Sequence, residues 1–303
     1  MNRFSKYSWF LLVWTILVIA WGTVVRATNS GAGCGNFWPL CGESLIPTFE
    51  VFHTGVEFLH RVMSGLLILF VITLVVWGTK HYKNDPVQKK VVWAVLGFTI
   101  IESILGAGLV LLGLVEDNDS HLRIAAVSIH LLNTFFLLGI ITVNAWWSNH
   151  PPQLAANNKI SRWITIAFLV AVAVIGATGA ITALADTLFP STSMQHTLEE
   201  QLQPGGHILI NLRIYHPVLA LLLGGLVFIS LRYFLSEGTT TIRRIKVGLM
   251  VAILLQVGLG FANILLLTPL YIQVLHLVTA DLIWIFCVIL FLNNPKFTAG
   301  FYE

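Results

Sequence analysis

Charged side chains are scarce in this sequence. Only 10% of its 303 residues are charged and 56% are hydrophobic, whereas a soluble domain carries roughly 25% charged residues. This shortage excludes an ordinary soluble domain. Eight apolar runs are each long enough to cross the ~30 Å hydrocarbon core of a membrane: residues 7–27, 57–79, 91–114, 123–147, 161–185, 210–234, 244–268 and 271–293. We predict an all-α integral membrane protein with eight transmembrane helices.

Lys and Arg are absent from two long segments between predicted helices, residues 28–55 and 186–208. Because basic residues accumulate in cytoplasmic loops, we predict that both segments lie outside and that both termini are cytoplasmic. Four basic residues lie at outer helix ends instead, namely Arg26, Arg61, Arg123 and Arg213. The net charge of +3 reflects the inner loops and gives no reason to expect nucleic-acid binding.

The two halves of the chain match each other. The matching pairs are Gly22 and Gly176, Glu102 and Gln256, His60 and His216, and His130 and His276. Four crossings return the chain to its starting side, so the halves form a parallel repeat. We predict two pseudo-symmetric four-helix bundles, residues 1–147 and 161–303, joined by a cytoplasmic linker at 148–160.

Four of the ten histidines are candidate metal ligands. His60, His130, His216 and His276 lie within about two turns of the outer end of a helix, two in each half. The other six fall in loops or at helix edges, where solvated side chains are expected: His53, His81, His121, His150, His196 and His207. A zinc or copper site needs three or four close ligands, whereas two imidazoles per bundle suit the two faces of a haem. We therefore predict one haem in each bundle.

Glycines and arginines near these histidines allow two interpretations each. The small residues either leave room for a macrocycle or serve close helix packing: Gly65, Gly106, Gly108, Gly176, Gly179, Gly258 and Gly260. The four outer arginines either pair with haem propionates or extend to the membrane interface. Arg61 is the weakest propionate candidate, because it directly follows a predicted ligand.

One acidic residue breaks the symmetry. Alignment of His60 with His216 places Glu57 opposite Arg213 and Arg61 opposite Pro217. Glu57 precedes His60 by three positions, so both share one helix face. Since a carboxylate can move protons or stabilise a developing cation, we predict chemistry in the first half and a permanent cofactor in the second.

The few cysteines follow the same asymmetry. Cys34 and Cys41 lie in the first outer segment and have no counterpart in the second half. Their spacing is not Cys-x-x-Cys, which argues against a thioredoxin-like or zinc site. An exterior location permits a disulfide, and both a structural and a redox role remain open. Cys287, deep in the last helix, is predicted to serve packing.

Two further acids lie within predicted helices. Glu102 is interpreted as a proton-path residue or as a structural one. Asp281, about one turn beyond His276, is a candidate to orient that histidine through a hydrogen bond.

Three segments carry a resemblance to a known family. Arg26-Ala27-Thr28-Asn29-Ser30-Gly31, Trp38-Pro39-Leu40-Cys41 and Glu57-Phe58-Leu59-His60-Arg61 resemble heme A synthase, and the likeness covers the whole chain. The resemblance implies an oxidoreductase of the cell membrane, with its histidines towards the extracytoplasmic face. Such an enzyme would oxidise the C8 methyl of haem O to a formyl group by successive hydroxylations, which yields haem A for terminal oxidases.

The resemblance also implies roles for individual residues. His60 and His130 would bracket the substrate haem O beside a catalytic Glu57, and His216 and His276 would ligate a haem b that relays electrons. Cys34 and Cys41 match the cysteine pair of one class of the family. The sequence departs from the family in lacking a second cysteine pair and in carrying Glu102 where an amide is expected.

Two alternatives explain part of the pattern. A quinol-linked dihaem electron carrier of the cytochrome b type accounts for the four histidines but not for Glu57. A histidine-dependent transporter with a parallel repeat usually places its site near the midplane. For the synthase, a haem O synthase is the expected supplier of substrate, lipid surrounds the helices, and a homo-oligomer is compatible with the sequence. The electron acceptor and the oxygen source are not specified.

Overall fold

The computed structural model describes residues 1–42, 47, 51–150, 162–202, 205–234 and 238–293. Ten helices occupy this part of the chain: α1 Arg3–Ala27, α2 Phe52–His81, α3 Pro86–Leu111, α4 His121–Trp147, α5 Arg162–Leu188, α6 Met194–Leu202, α7 Ile208–Leu212, α8 Tyr215–Tyr233, α9 Thr240–Leu265 and α10 Leu270–Leu292. Eight spans are long and apolar enough to cross a membrane, with α7 and α8 forming one of them. The prediction of eight transmembrane helices is confirmed. Most of the predicted linker at 148–160 lies outside the described residues.

Several helices begin earlier than their apolar runs. Polar side chains cap the free N–H groups of the first turn: Asn2 accepts from Ser5, Asp85 from Val87 and Gln88, Ser120 from Arg123, and Thr239 from Ile242. Pro86 follows its cap at the first helical position, where no N–H is needed. Hydrophobicity therefore locates the membrane-crossing part, whereas the caps set the true start.

The helices pack as two closed rings of four. In the first ring α1 packs on α2, α2 on α3, α3 on α4 and α4 on α1; in the second, α5, α8, α9 and α10 repeat this order. The rings meet where α1 and α4 contact α5 and α10. At this interface Phe135 stacks on Trp284, with ring centres 4.9 Å apart. Within the first ring, Asn144 of α4 donates to Ser8 of α1 at 2.9 Å.

The sixth membrane span is interrupted at Arg213 and Ile214, between α7 and α8. Pro217 explains the interruption, because proline has no N–H and its ring clashes with the carbonyl four residues earlier, that of Arg213. The expected single helix is therefore two. The short helix α6 was also not anticipated, since it lies in the polar segment 186–208 that the sequence suggests is a loop.

Candidate functional site

The four symmetric histidines lie at one end of the bundle, here called the histidine end. Each imidazole packs against a glycine of the preceding span. A Cβ on Gly22 would lie 3.2 Å from the His60 ring, one on Gly106 3.7 Å from His130, one on Gly179 2.9 Å from His216, and one on Gly260 3.4 Å from His276. An added Cβ would press on the ring at Gly22 and Gly179, whereas the distances at Gly106 and Gly260 are ordinary van der Waals contacts.

The other glycines that were predicted to serve either packing or a macrocycle differ in their surroundings. A Cβ on Gly176 would meet Phe135 at 2.4 Å, so this glycine serves helix packing. Gly179, one turn further along α5, takes the place opposite His216 that the sequence alignment gives to Gly176. Gly65, Gly108 and Gly258 face open space, with no atom within 4 Å of an added Cβ.

In the second ring, His216 and His276 face each other. Their ring centres are 6.2 Å apart and their planes are nearly perpendicular. Imidazole–metal bonds of about 2 Å on each side give roughly this spacing for two imidazoles on one metal ion. His216 Nδ1 lies 3.1 Å from the Ile175 carbonyl oxygen. A backbone acceptor of this kind fixes the tautomer of a ligating histidine and leaves Nε2 for the metal.

His276 contacts an amide rather than an acid. Its Nε2 lies 3.0 Å from Gln256 Nε2, while its buried Nδ1 has no hydrogen-bond partner within the described part of the chain. Asp281, predicted to orient His276, is fully buried, and neither carboxyl oxygen has a hydrogen-bond partner among the described residues. The side chain that contacts His276 is therefore Gln256 of α9 and not Asp281.

In the first ring, His60 and His130 each bury Nδ1 without a conventional hydrogen bond to any described residue. His130 Nδ1 lies 3.5 Å from Glu102 Oε1, within ion-pair range. Three buried imidazole nitrogens without hydrogen bonds, on His60, His130 and His276, are unusual in a folded protein. Such nitrogens, on imidazoles that each pack against a glycine, fit metal ligands. The arrangement therefore suits a planar group such as haem in each ring.

Glu57 is buried, with 3% of its surface exposed. Its Oε2 accepts a hydrogen bond from the backbone N–H of Cys34 at 2.7 Å. Its Oε1 accepts from Arg61 Nε at 3.1 Å and pairs with Arg61 Nη2 at 2.5 Å. Both oxygens are thus held by donors on the protein, one of which is charged.

The same arginine holds the segment that covers this end of α2. Arg61 Nη1 donates to the Phe37 carbonyl at 2.7 Å and to the Leu40 carbonyl. A disulfide links Cys34 to Cys41 and closes this segment, residues 34–41, into a loop. We call residues 34–41 the disulfide loop. Glu57 and Arg61 of α2 therefore bind backbone groups of the disulfide loop, and the loop in turn positions the Glu57 carboxylate.

The second ring carries the opposite charge at the corresponding position. Arg213, 4% exposed, lies 3.1 Å from Asp186 Oδ1 through Nε. It also donates to the Ala185 carbonyl at 2.6 Å and to the Phe189 carbonyl. Glu200 of α6 lies 3.9 Å away. Asp186 was not predicted as a site residue, and its place in the outer polar segment gave little signal.

The other two outer arginines differ in their surroundings. Arg26 extends from α1 into the second ring, where it donates to the Ala183 carbonyl, Thr187 Oγ1 and Gln273 Oε1 at 2.6 to 2.7 Å. Arg123 donates to the carbonyls of Glu116 and Asn118, and its buried Nε has no partner among the residues described. Arg26 thus joins the two rings, which no local sequence pattern indicated.

The remaining six histidines and the third cysteine have different surroundings. Five of the six are exposed, as expected: His53, His81, His121, His150 and His196. The sixth, His207, is half-buried, with Nε2 3.2 Å from Asp119 Oδ2 across the two halves. Cys287 is a buried free thiol in the hydrophobic core, consistent with its predicted packing role.

The chain is similar to proteins of known families. A family model described as COX15-CtaA, cytochrome oxidase assembly protein, matches residues 5–288. The chain is 36% identical over 293 residues to a protoheme IX farnesyltransferase of Thermus thermophilus, an alignment that covers 95% of this chain and 48% of that protein. It is 28% identical over 288 residues to a heme A synthase of an Exiguobacterium species, covering 91% and 88%.

A heme A synthase of Halalkalibacterium halodurans is 35% identical over 163 residues, 53% of each chain. The chain spans about half the length of the Thermus relatives it matches. The family model, in contrast, matches the chain from the first helix to the last. The chain therefore belongs to the COX15-CtaA family of cytochrome oxidase assembly proteins.

Proposed function

We propose that this chain is a heme A synthase, an enzyme that oxidises the C8 methyl group of haem O to a formyl group by successive hydroxylations. The observation that carries the proposal is the buried Glu57 carboxylate beside His60, held by the disulfide loop and Arg61. The second ring has Arg213 at this position. A pure electron carrier has no need of such a carboxylate on one side only.

The two rings take different roles in this proposal. Residues 1–147 form the catalytic bundle, in which His60 and His130 would hold the iron of haem O. Residues 161–303 form the cofactor bundle, in which His216 and His276 would hold a haem b. The haem irons supply the redox chemistry when bound. The buried His nitrogens and the facing glycines support these assignments.

Glu57 acts on the substrate side of the first ring. A carboxylate fixed by an N–H donor and a guanidinium can accept a proton or stabilise positive charge that develops on a neighbouring carbon. The Cys34 N–H and Arg61 hold it in one orientation. The disulfide loop covers the carboxylate and limits the access of water to it.

Among the four arginines, Arg123 is the strongest candidate for a propionate, because its Nε is buried without a partner among the described residues. Arg213 and Arg61 already bind acidic side chains, and a propionate would join these pairs. Arg26 would act at the boundary of the rings, where it bonds to α5 and α10.

The histidine end is proposed to face the extracytoplasmic side of the cell membrane, since basic residues concentrate at the opposite end. The substrate would come from an enzyme that farnesylates haem. The name of the Thermus relative describes such an activity, and the present chain matches about half of that protein. A supplier that is joined to or docked beside this chain would pass the hydrophobic substrate on without releasing it.

The test is pigment analysis of the purified protein after co-expression with a source of haem O. We expect two haems per chain and the appearance of haem A, measured by optical spectroscopy and by chromatography of the extracted pigment. A protein that binds two b-type haems and never yields haem A would be a dihaem electron carrier. A protein without haem would contradict both functions and leave the transporter hypothesis.

A further inference from the structure

Glu102 of α3 faces the ligand histidine of α4. Its Oε2 accepts a hydrogen bond from Asn133 Nδ2 at 2.6 Å, and its Oε1 hydrogen-bonds with the Thr134 hydroxyl. His130 Nδ1 lies 3.5 Å from the same Oε1. Asn133 also donates to the Phe98 carbonyl of α3 at 3.2 Å. The carboxyl group is therefore fixed from two sides and directed at the imidazole.

The second ring has different residues at the positions of Glu102, Asn133 and Thr134. At the place of Glu102 it has Gln256, whose Nε2 lies 3.0 Å from His276 Nε2. The positions of Asn133 and Thr134, three and four residues after the histidine, are taken by Thr279 and Ala280. Thr279 donates to its own helix, to the Leu275 carbonyl at 2.7 Å. The side chains that fix the carboxylate are thus present only where the carboxylate is present.

In each ring the histidine of the fourth span faces a polar side chain of the neighbouring helix. His130 Nδ1 lies 3.5 Å from the Glu102 carboxyl group, whereas His276 Nε2 lies against the Gln256 amide. A carboxylate in the immediate surroundings of a ligating imidazole makes the ligand more basic. A more basic axial ligand favours the oxidised metal and lowers its reduction potential. An amide has a much smaller effect because it carries no charge.

We propose that Glu102 is a positioning residue that, through His130, sets the reduction potential of the iron in the first ring below that of the iron in the second. This inference rests on the haem assignment in the proposed function but not on the formation of haem A. With haem bound in both rings, an electron shared between them would reside mainly on the second. The sequence difference between Glu102 and Gln256 becomes a functional difference between the two sites.

The experiment is a potentiometric titration of the purified, haem-loaded protein, in which each haem gives one reduction wave. In Glu102→Gln we expect the lower wave to move to a more positive potential by about 59 mV. This shift corresponds to an equilibrium constant for one-electron reduction that is about tenfold larger. The reciprocal variant Gln256→Glu adds a carboxylate to the second ring and should move the higher wave to more negative potential. Ser103→Ala, which removes only a bond to the Thr99 carbonyl of the same helix, should move neither wave.

Haem content is measured in the same samples, so that each outcome is informative. The proposal is overturned if Glu102→Gln keeps both haems and both waves stay in place, or if the higher wave moves instead. If Glu102→Gln loses its haem, Gln256→Glu decides: an unmoved higher wave overturns the proposal. A wild-type protein without haem overturns this inference together with the proposed function. A wild-type protein with two haems but no haem A contradicts the synthase activity alone and leaves the titration valid.

Discussion

The two four-helix rings share the packing of their histidines and differ in the charged residues around them. Each histidine ring packs on a glycine in both halves. Next to the first histidine, however, the first ring buries Glu57 and the second buries Arg213. Next to the second histidine, the first ring has Glu102 and the second has Gln256. The histidine–glycine pairs are thus alike in the two rings, while the polar residues beside the histidines differ.

The same contrast extends to the segments at the histidine end. The first ring is covered by the disulfide loop, which is tied to α2 through Glu57 and Arg61. The second is approached by α6, whose Glu200 lies 3.9 Å from Arg213. In the first ring the disulfide loop donates a backbone hydrogen bond to the Glu57 carboxylate of a membrane helix. In the second ring α6 supplies the carboxylate, that of Glu200, and the membrane span supplies the cation, Arg213. Four changes test this difference between the rings.

The largest expected effect comes from the ligands themselves. His60→Ala should abolish haem A formation and remove the first-ring haem, because the iron loses an axial imidazole. His216→Ala should remove the second-ring haem and leave the first. Haem per chain and pigment type distinguish the two variants. Equal losses of both haems in either variant would mean that the rings do not bind independently.

Glu57→Gln should lower the rate of haem A formation by about 10²- to 10⁴-fold, because the amide cannot accept a proton. The haem content should be unchanged, since the carboxylate is not placed as a ligand. The rate is measured by chromatography of the pigment over time. Glu199→Gln serves as the control, because Glu199 is exposed on α6 and bonds only to Gln195 among the described residues. A normal rate in Glu57→Gln would remove the proposed catalytic difference between the rings.

The disulfide loop should contribute next. Cys34→Ser with Cys41→Ser is expected to lower the melting temperature, since a disulfide around a short loop contributes about 2 kcal/mol. Haem A formation should fall as well, because the Cys34 N–H loses its fixed position against Glu57. Thermal unfolding and the pigment assay measure the two effects. Cys287→Ala, at the free thiol in the core, should change stability without selective loss of haem A formation.

The smallest effect is expected from a single methyl group. Gly179→Ala would place a Cβ 2.9 Å from the His216 ring, and such overpacking costs about 1–3 kcal/mol. We expect weaker retention of the second-ring haem, measured by its transfer to an apo-haem acceptor protein. Gly224→Ala, where an added Cβ meets nothing within 4 Å, is the matched control. If both variants retain the haem equally, the glycine does not set the imidazole position.

Much of the architecture could be predicted from the sequence. Hydropathy identified the eight spans, and the symmetric histidines identified one end of each ring. The break in the sixth span could have been predicted from Pro217. This residue entered the alignment of the two halves, but it was not interpreted as a helix breaker. Helix α6 has apolar residues at every fourth position, namely Met194, Leu198 and Leu202, but its mainly polar composition excluded it from a search for membrane spans.

The candidate site was predicted less completely. The four histidines, Glu57 and the disulfide cysteines were named from spacing and charge. Their partners were not, because Cys34 lies 23 residues from Glu57 and Gln273 lies 247 residues from Arg26. The sequence alignment pairs Gly22 with Gly176, whereas in the structure Gly179, one turn further along α5, lies against His216. An alignment of apolar residues does not fix the rotation of a helix.

The sequence by itself determined that this chain is a duplicated membrane bundle with four histidines at one end and a charge difference between its halves. Length, hydropathy and spacing are sufficient for these conclusions, because they depend on each helix separately. Only the tertiary structure decided that Glu57 is bound by Cys34 and Arg61, that Glu102 faces His130, and that Arg26 crosses between the rings. A helix that is apolar on every side gives no indication of which face meets which neighbour. The contacts between distant helices, and the chemistry they support, are therefore set by packing.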